Sequence, residues 1–178
     1  ARRPDPLSVA VIAACGTGFV VWTRALWSEP VEAVHFVQYG VLGGLLVRAL
    51  RPRMPDAGVH VVAALAAALV GTADEVLQWV TPQRFWDLRD VAINAGAAAL
   101  VQPALWRVAP PRSPGFGIGS RRWACRLAAA LAVLLTACLA ATPARLERLA
   151  AQSPALAFLT RTDNPMAEYG HRHVVTGL

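Results

Sequence analysis

The chain contains no lysine: all 17 of its basic residues are arginine. A phosphate-cradling loop needs a preceding strand and a following Lys, so the run GFGIG at residues 115–119 is not read as one. Cysteine is scarce. Cys15, Cys125 and Cys138 each fall inside an apolar run and no CxxC occurs, which points to small buried hydrophobes rather than redox centres or metal ligands. On one helix Cys125 and Cys138 would stand about 20 Å apart, too far to pair. No long stretch alternates with period two, which excludes a β-barrel. No Ser or Cys stands beside a base in a nucleophile motif. Acids are outnumbered, 11 against 17, and the pI is near 10.5. The arginines punctuate the ends of apolar runs instead of forming a basic patch, so nucleic acid is not an expected partner.

Apolar sequence is abundant. Of 178 residues, 56% are hydrophobic and the mean hydropathy is +0.43, above the usual range of roughly 45–50% apolar for a soluble domain. Five runs approach the 20 or so residues that cross a bilayer: 6–27, 31–50, 58–79, 88–106 and 123–141. The fourth is the weakest, because it carries Asn94, Gln102 and Pro103. Arg2 and Arg3 precede a first run long enough to span, unlike a cleavable leader. The expected fold is therefore all-α: a polytopic transmembrane bundle of about five spans over 1–141, followed by a mostly non-membrane tail, 142–178.

Nine arginines (Arg2, Arg3, Arg48, Arg51, Arg53, Arg107, Arg112, Arg121 and Arg122) flank one side of these spans and three (Arg24, Arg84 and Arg89) the other. Positive charge marks the cytoplasmic side, so the N-terminus is placed inside and the tail outside. All six tryptophans lie near span ends, where an amphipathic ring favours the interface. Thr142–Pro143 signals a short helix through about Gln152, with Leu146, Leu149 and Ala150 as its apolar stripe.

Against this background the polar residues stand out. The second run carries Glu32, His35 and Tyr39 on one helical face, with Gln38 beside it. Ionisable groups inside spans are costly and face the bundle interior. Glu-x-x-His is half of the pattern that holds a dinuclear metal in helical bundles, but it occurs once, so no metal and no cofactor are expected. The third run ends in Asp74, Glu75 and Gln78. Past Pro82, the residues Asp87, Asp90 and Asn94 share the first turns of the next helix, with Arg84 and Arg89 as counter-ions. Gly96 and the alanines after it leave a surface for close helix approach. Such a hairpin mouth can act as a structural clamp, as a headgroup-recognition site, or in acid/base chemistry or ion translocation through Glu75, Asp90 and His35. The tail histidines His171 and His173 read as exposed polar residues.

The segments EAVHFVQYGVLGGLL and DEVLQWVTPQRFWDLRDVAINAGAAAL resemble the VanZ-like family of small polytopic membrane proteins. His35, Phe36, Tyr39, Leu42 and Gly43 match one part of its pattern. Asp74, Glu75, Gln78, Pro82, Arg84, Asp87, Asp90, Val91, Asn94 and Gly96 match the other. Many relatives carry Lys three residues before the His, where this chain has Glu32. The likeness covers residues 30–100 and leaves out the fifth run and the tail. It implies a bacterial cytoplasmic (inner) membrane protein in contact with lipid, with no assigned reaction; the family is named for a member associated with glycopeptide resistance. Two roles are expected. One is a binding or structural subunit, more in keeping with a non-enzyme, that docks to other membrane proteins through its helices and tail, as in a respiratory or photosynthetic complex. The other is recognition or turnover of an outer-leaflet lipid or cell-wall precursor.

Overall fold

A computed structural model describes residues 5–81 and 86–161, with side chains described through 157. Among these residues every regular element is helical, and one isolated bridge joins Asp56 to Ser113. The helices are α1 (Pro6–Ala25), α2 (Pro30–Leu50), α3 (Gly58–Val80), α4 (Leu88–Leu100), α5 (Gln102–Val108), α6 (Ile118–Ala140) and α7 (Pro143–Gln152), ending in a 3-10 turn (Pro154–Arg161).

The starts follow local chemistry. Pro6 opens α1 behind Asp5, whose carboxylate accepts from the backbone N–H of Leu7 and Ser8. Pro30 opens α2, and Asp87 caps α4 by accepting the Arg89 N–H at 2.7 Å. α7 begins at Pro143 as expected, although the Thr142 side chain makes no capping bond.

Four helices, α1, α2, α3 and α6, are long and apolar enough to cross a membrane. The run expected as one span over 88–106 is two helices, broken at Val101. Pro103 is the cause, since it has no N–H to continue the ladder. The Gln102 side chain compensates by donating Nε2–H to the Ala98 carbonyl at 2.8 Å. α6 starts earlier than expected, at Ile118, so Arg121 and Arg122 sit in its first turns rather than in a linker.

α4 packs against both α2 and α3, α6 lies along α3, and α1 leans on α5. The α2–α4 crossing is close because Gly43 faces the Ala98 backbone, where a Cβ would stand 3.0 Å from the carbonyl oxygen. Ala98, one of the alanines after Gly96, is thus where small residues bring α2 and α4 together. Two apolar clusters fill the interior. Phe36, Tyr39, Ile93 and Ala97 form one, onto which α1 brings Phe19, its ring 4.7 Å from that of Phe36. Trp79, Trp86, Val91, Cys138 and Leu146 form the other. Trp79 and Trp86 are therefore core residues, not interfacial ones, because α6 and α7 fold over the hairpin base. Leu146 anchors α7 against the bundle, while Leu149 of the same stripe stays exposed.

At the opposite end, the loop after α2 clasps the loop before α6. Arg51 donates to the Pro110 carbonyl at 2.6 Å, and Asp56 accepts from Ser120 Oγ at 2.7 Å and from the Gly58 N–H at 2.8 Å.

Candidate functional site: the polar mouth of α2, α3 and α4

Helical phasing brings the sequence-expected residues from three helices to one end of the bundle. Glu32, Glu75, Asp87 and Asn94 are buried, His35, Asp74, Gln78 and Asp90 are half-buried, and Tyr39 is buried among them. Arg84 and Pro82 lie outside the described residues, as do His171 and His173.

Pairing across the mouth differs from the expected one. Arg89 was expected to neutralise the clustered acids of the hairpin; it reaches across to Glu32 on α2 instead, Nη1 to Oε1 at 2.6 Å. Glu32 and Arg89 are 57 positions apart, so this clamp ties the first motif to the second and is the one ion pair among the described residues. Glu32 meets Arg89 through Oε1, and its helical neighbour His35 turns to a different partner set.

That set is Asp74 and Glu75, whose carboxylate oxygens and the His35 ring nitrogen all lie within 4.8 Å of one another. The two acids are held in place. Gln78 Nε2 donates to Asp74 Oδ2 at 3.2 Å and to Glu75 Oε1 at 3.1 Å, and the Asp87 N–H donates to Glu75 Oε2 at 3.4 Å. Gln78, one helical turn after Asp74, thus serves both acids. Tyr39 lines the same cavity as Asp74. That cavity, of about 430 Å³, opens beside them and is lined by His35, Gln38, Tyr39, Leu42 and Asp74.

Asn94 is fully buried, and neither atom of its carboxamide finds a partner. It stands against Gly71, where an added Cβ would meet Asn94 Cβ at 3.0 Å and the Tyr39 ring at 3.2 Å. Gly71 lies one helical turn before Glu75 on α3, so Asn94 continues the polar lining inward.

A second polar centre went unread in the sequence. His60 is buried near the start of α3, donates from Nδ1 to Gln102 Oε1 at 3.1 Å and stacks on Trp106 at 5.3 Å. Its signal was a histidine in an apolar run, matched by a glutamine just before the helix-breaking proline. Ser120 and Asp56, joined at the loop clasp, were equally silent, because nothing local links positions 64 apart.

The arrangement can clamp three helices, bind a cation or a polar group, or exchange protons among its acids. No curated protein and no solved structure matches the chain. The VanZ/LLP1 family model matches residues 12–107, from within α1 to the end of α5, and stops short of α6 and the tail. That segment is more than half of the chain and holds the Glu32–Arg89 clamp and the whole acidic mouth, so the chain belongs to the VanZ/LLP1 family.

Proposed function

We propose that this VanZ-like membrane protein has a binding and structural role, as an accessory subunit that docks to a larger membrane assembly. The observation that carries this reading is the state of the outer helices. α1 has no buried residue, and in α6 only Ser120 and Cys138 are buried. α6 lies outside the family segment and exposes Ala129, Ala132, Val133 and Thr136 on one face, a small-residue surface suited to close helix approach. The clamp and capped hairpin hold the bundle rigid beneath that surface. In keeping with the arginine distribution, the polar mouth faces the outer side of a bacterial inner membrane, with the N-terminus in the cytoplasm and the tail outside.

The test is the size of the native particle in mild detergent together with site-directed cross-linking from α6. A subunit migrates with a larger assembly, and Ala129→Trp with Val133→Trp releases it while the isolated chain stays folded. A native chain that runs alone, with no cross-link from α6, removes the reading.

A second reading is recognition or turnover of an outer-leaflet lipid or cell-wall precursor, including the one that links the family to glycopeptide resistance. The open cavity at His35, Tyr39 and Asp74 favours it, with Glu75, Asp90 and His35 as the working groups. His35→Ala, Glu75→Gln and Asp90→Asn, each expressed at wild-type level, should then lower glycopeptide resistance or lipid turnover. Wild-type behaviour in all three sinks it.

A further inference from the structure

The Glu-x-x-His spacing on α2 suggests a ligand pair, but the structure separates its members: Glu32 is clamped to Arg89, and His35 faces two acids of α3. We propose that His35, Asp74 and Glu75 form a binding site for one first-row divalent cation at the mouth between α2 and α3. This goes beyond the docking role and does not rest on it.

Three observations converge. The first is spacing. The three donors lie within 4.8 Å of one another, yet among the described residues His35 forms no ion pair with either acid. Donors around one ion at ~2.1 Å stand roughly 3–3.5 Å apart, so side-chain rotation of about 1 Å closes the shell. The second is support. Both carboxylates are oriented by outer hydrogen bonds, from Gln78 to each and from the Asp87 N–H to Glu75. Fixing the ligands through a second layer of partners is how proteins preorganise metal sites. The third is access and unmet polarity. The cavity opens onto His35 and Asp74, so an ion can enter. The buried Asn94 carboxamide, one turn further in, has neither atom partnered and suits a hydrogen bond to a hydrated ion.

The donor chemistry sets the class of ion. One imidazole nitrogen with two carboxylates suits Zn²⁺ or Mn²⁺, and three protein ligands leave positions for water or a ligand's oxygen. Thiolate-preferring ions are disfavoured, since the nearest helices bring no cysteine to the mouth among the described residues.

The experiment is calorimetric titration of the full chain, purified in detergent and stripped with chelator, with ZnCl₂ and separately with MnCl₂. One equivalent of at least one ion should bind. Glu75→Gln, Asp74→Asn and His35→Gln should each weaken it at least tenfold, while the exposed Glu147→Gln leaves it unchanged. The same ion should raise the unfolding temperature of the wild type and not of the three variants. Should buried Glu75→Gln fail to fold, the half-buried Asp74→Asn and His35→Gln decide. Absence of stoichiometric binding of both ions, or wild-type affinity in the folded variants, overturns the proposal. Neither result touches the α6 docking test, so the two readings fail separately.

Discussion

Removing Arg89 should damage this protein far more than removing its partner Glu32. The Glu32 side chain is 1% exposed and that of Arg89 is 55%, with 2.6 Å between their charged atoms. Arg89→Ala takes the guanidinium away from a carboxylate in the interior, and breaking a buried pair from one side costs roughly 3–5 kcal/mol. Because Arg89 is more than half exposed, water follows into its place, and the lower end applies, about 3 kcal/mol. Glu32→Leu instead leaves a guanidinium that turns outward into water, at a cost below about 1 kcal/mol. The double variant should then resemble Glu32→Leu, giving a coupling of about 3 kcal/mol. Denaturant titration in mixed micelles, followed by the fluorescence of the buried Trp79 and Trp86, measures all four corners of the cycle. Equal damage from the two single changes, or strict additivity in the double, would refute the reasoning.

Other outcomes follow from the packing. Gly43→Val must push against the Ala98 backbone and should destabilise by about 1–3 kcal/mol, while Gly16→Ala, whose Cβ meets nothing within 4 Å, should be neutral or stabilising in the same titration. Leu146→Ala empties the anchor of α7, at about 2–5 kcal/mol for a buried leucine, and should be seen as faster proteolytic cleavage within 143–152. At the loop clasp, burial pushes the Asp56 carboxyl up, but bonds from Ser120, Gly58 and Gly117 outweigh it and hold the group below its ordinary value of 3.8. A depressed folded value means the stabilisation is present above 3.8 and is lost as pH falls through the folded value. Thermal melts through the acid range should therefore show a loss that Asp56→Asn largely removes.

Much of the helix pattern was legible because its causes are local. The apolar runs, Pro6 and Pro30 at helix starts, and the Thr142–Pro143 signal all act within a turn or two of chain. The break within the fourth run was not legible because hydropathy averages over Pro103, whereas the backbone ladder cannot. In the mouth, Asp74, Glu75 and Gln78 were legible as a polar group ending the third run, and hydrogen bonds join them. Asp87 as a helix start was also legible, because a cap needs only the two residues after it.

Partner choice was not legible. Spacing set Glu32 beside His35, one turn apart, yet the two side chains diverge toward different helices. Arg89 was visible as a cation and Glu32 as an acid, but their meeting depends on the α2–α4 crossing, which Gly43 and Ala98 set by close backbone contact. The buried tryptophans, the His60–Gln102 contact and the Asp56–Ser120 clasp have the same origin. By itself the sequence determined a helical membrane protein with its polar residues gathered at one hairpin, since burial cost and helical period act on every short segment. Only the tertiary structure decided which acid is neutralised by arginine and which pair is left facing a histidine. Coulombic and hydrogen-bonding partners are chosen over a few ångströms between helices, at distances that chain spacing does not encode.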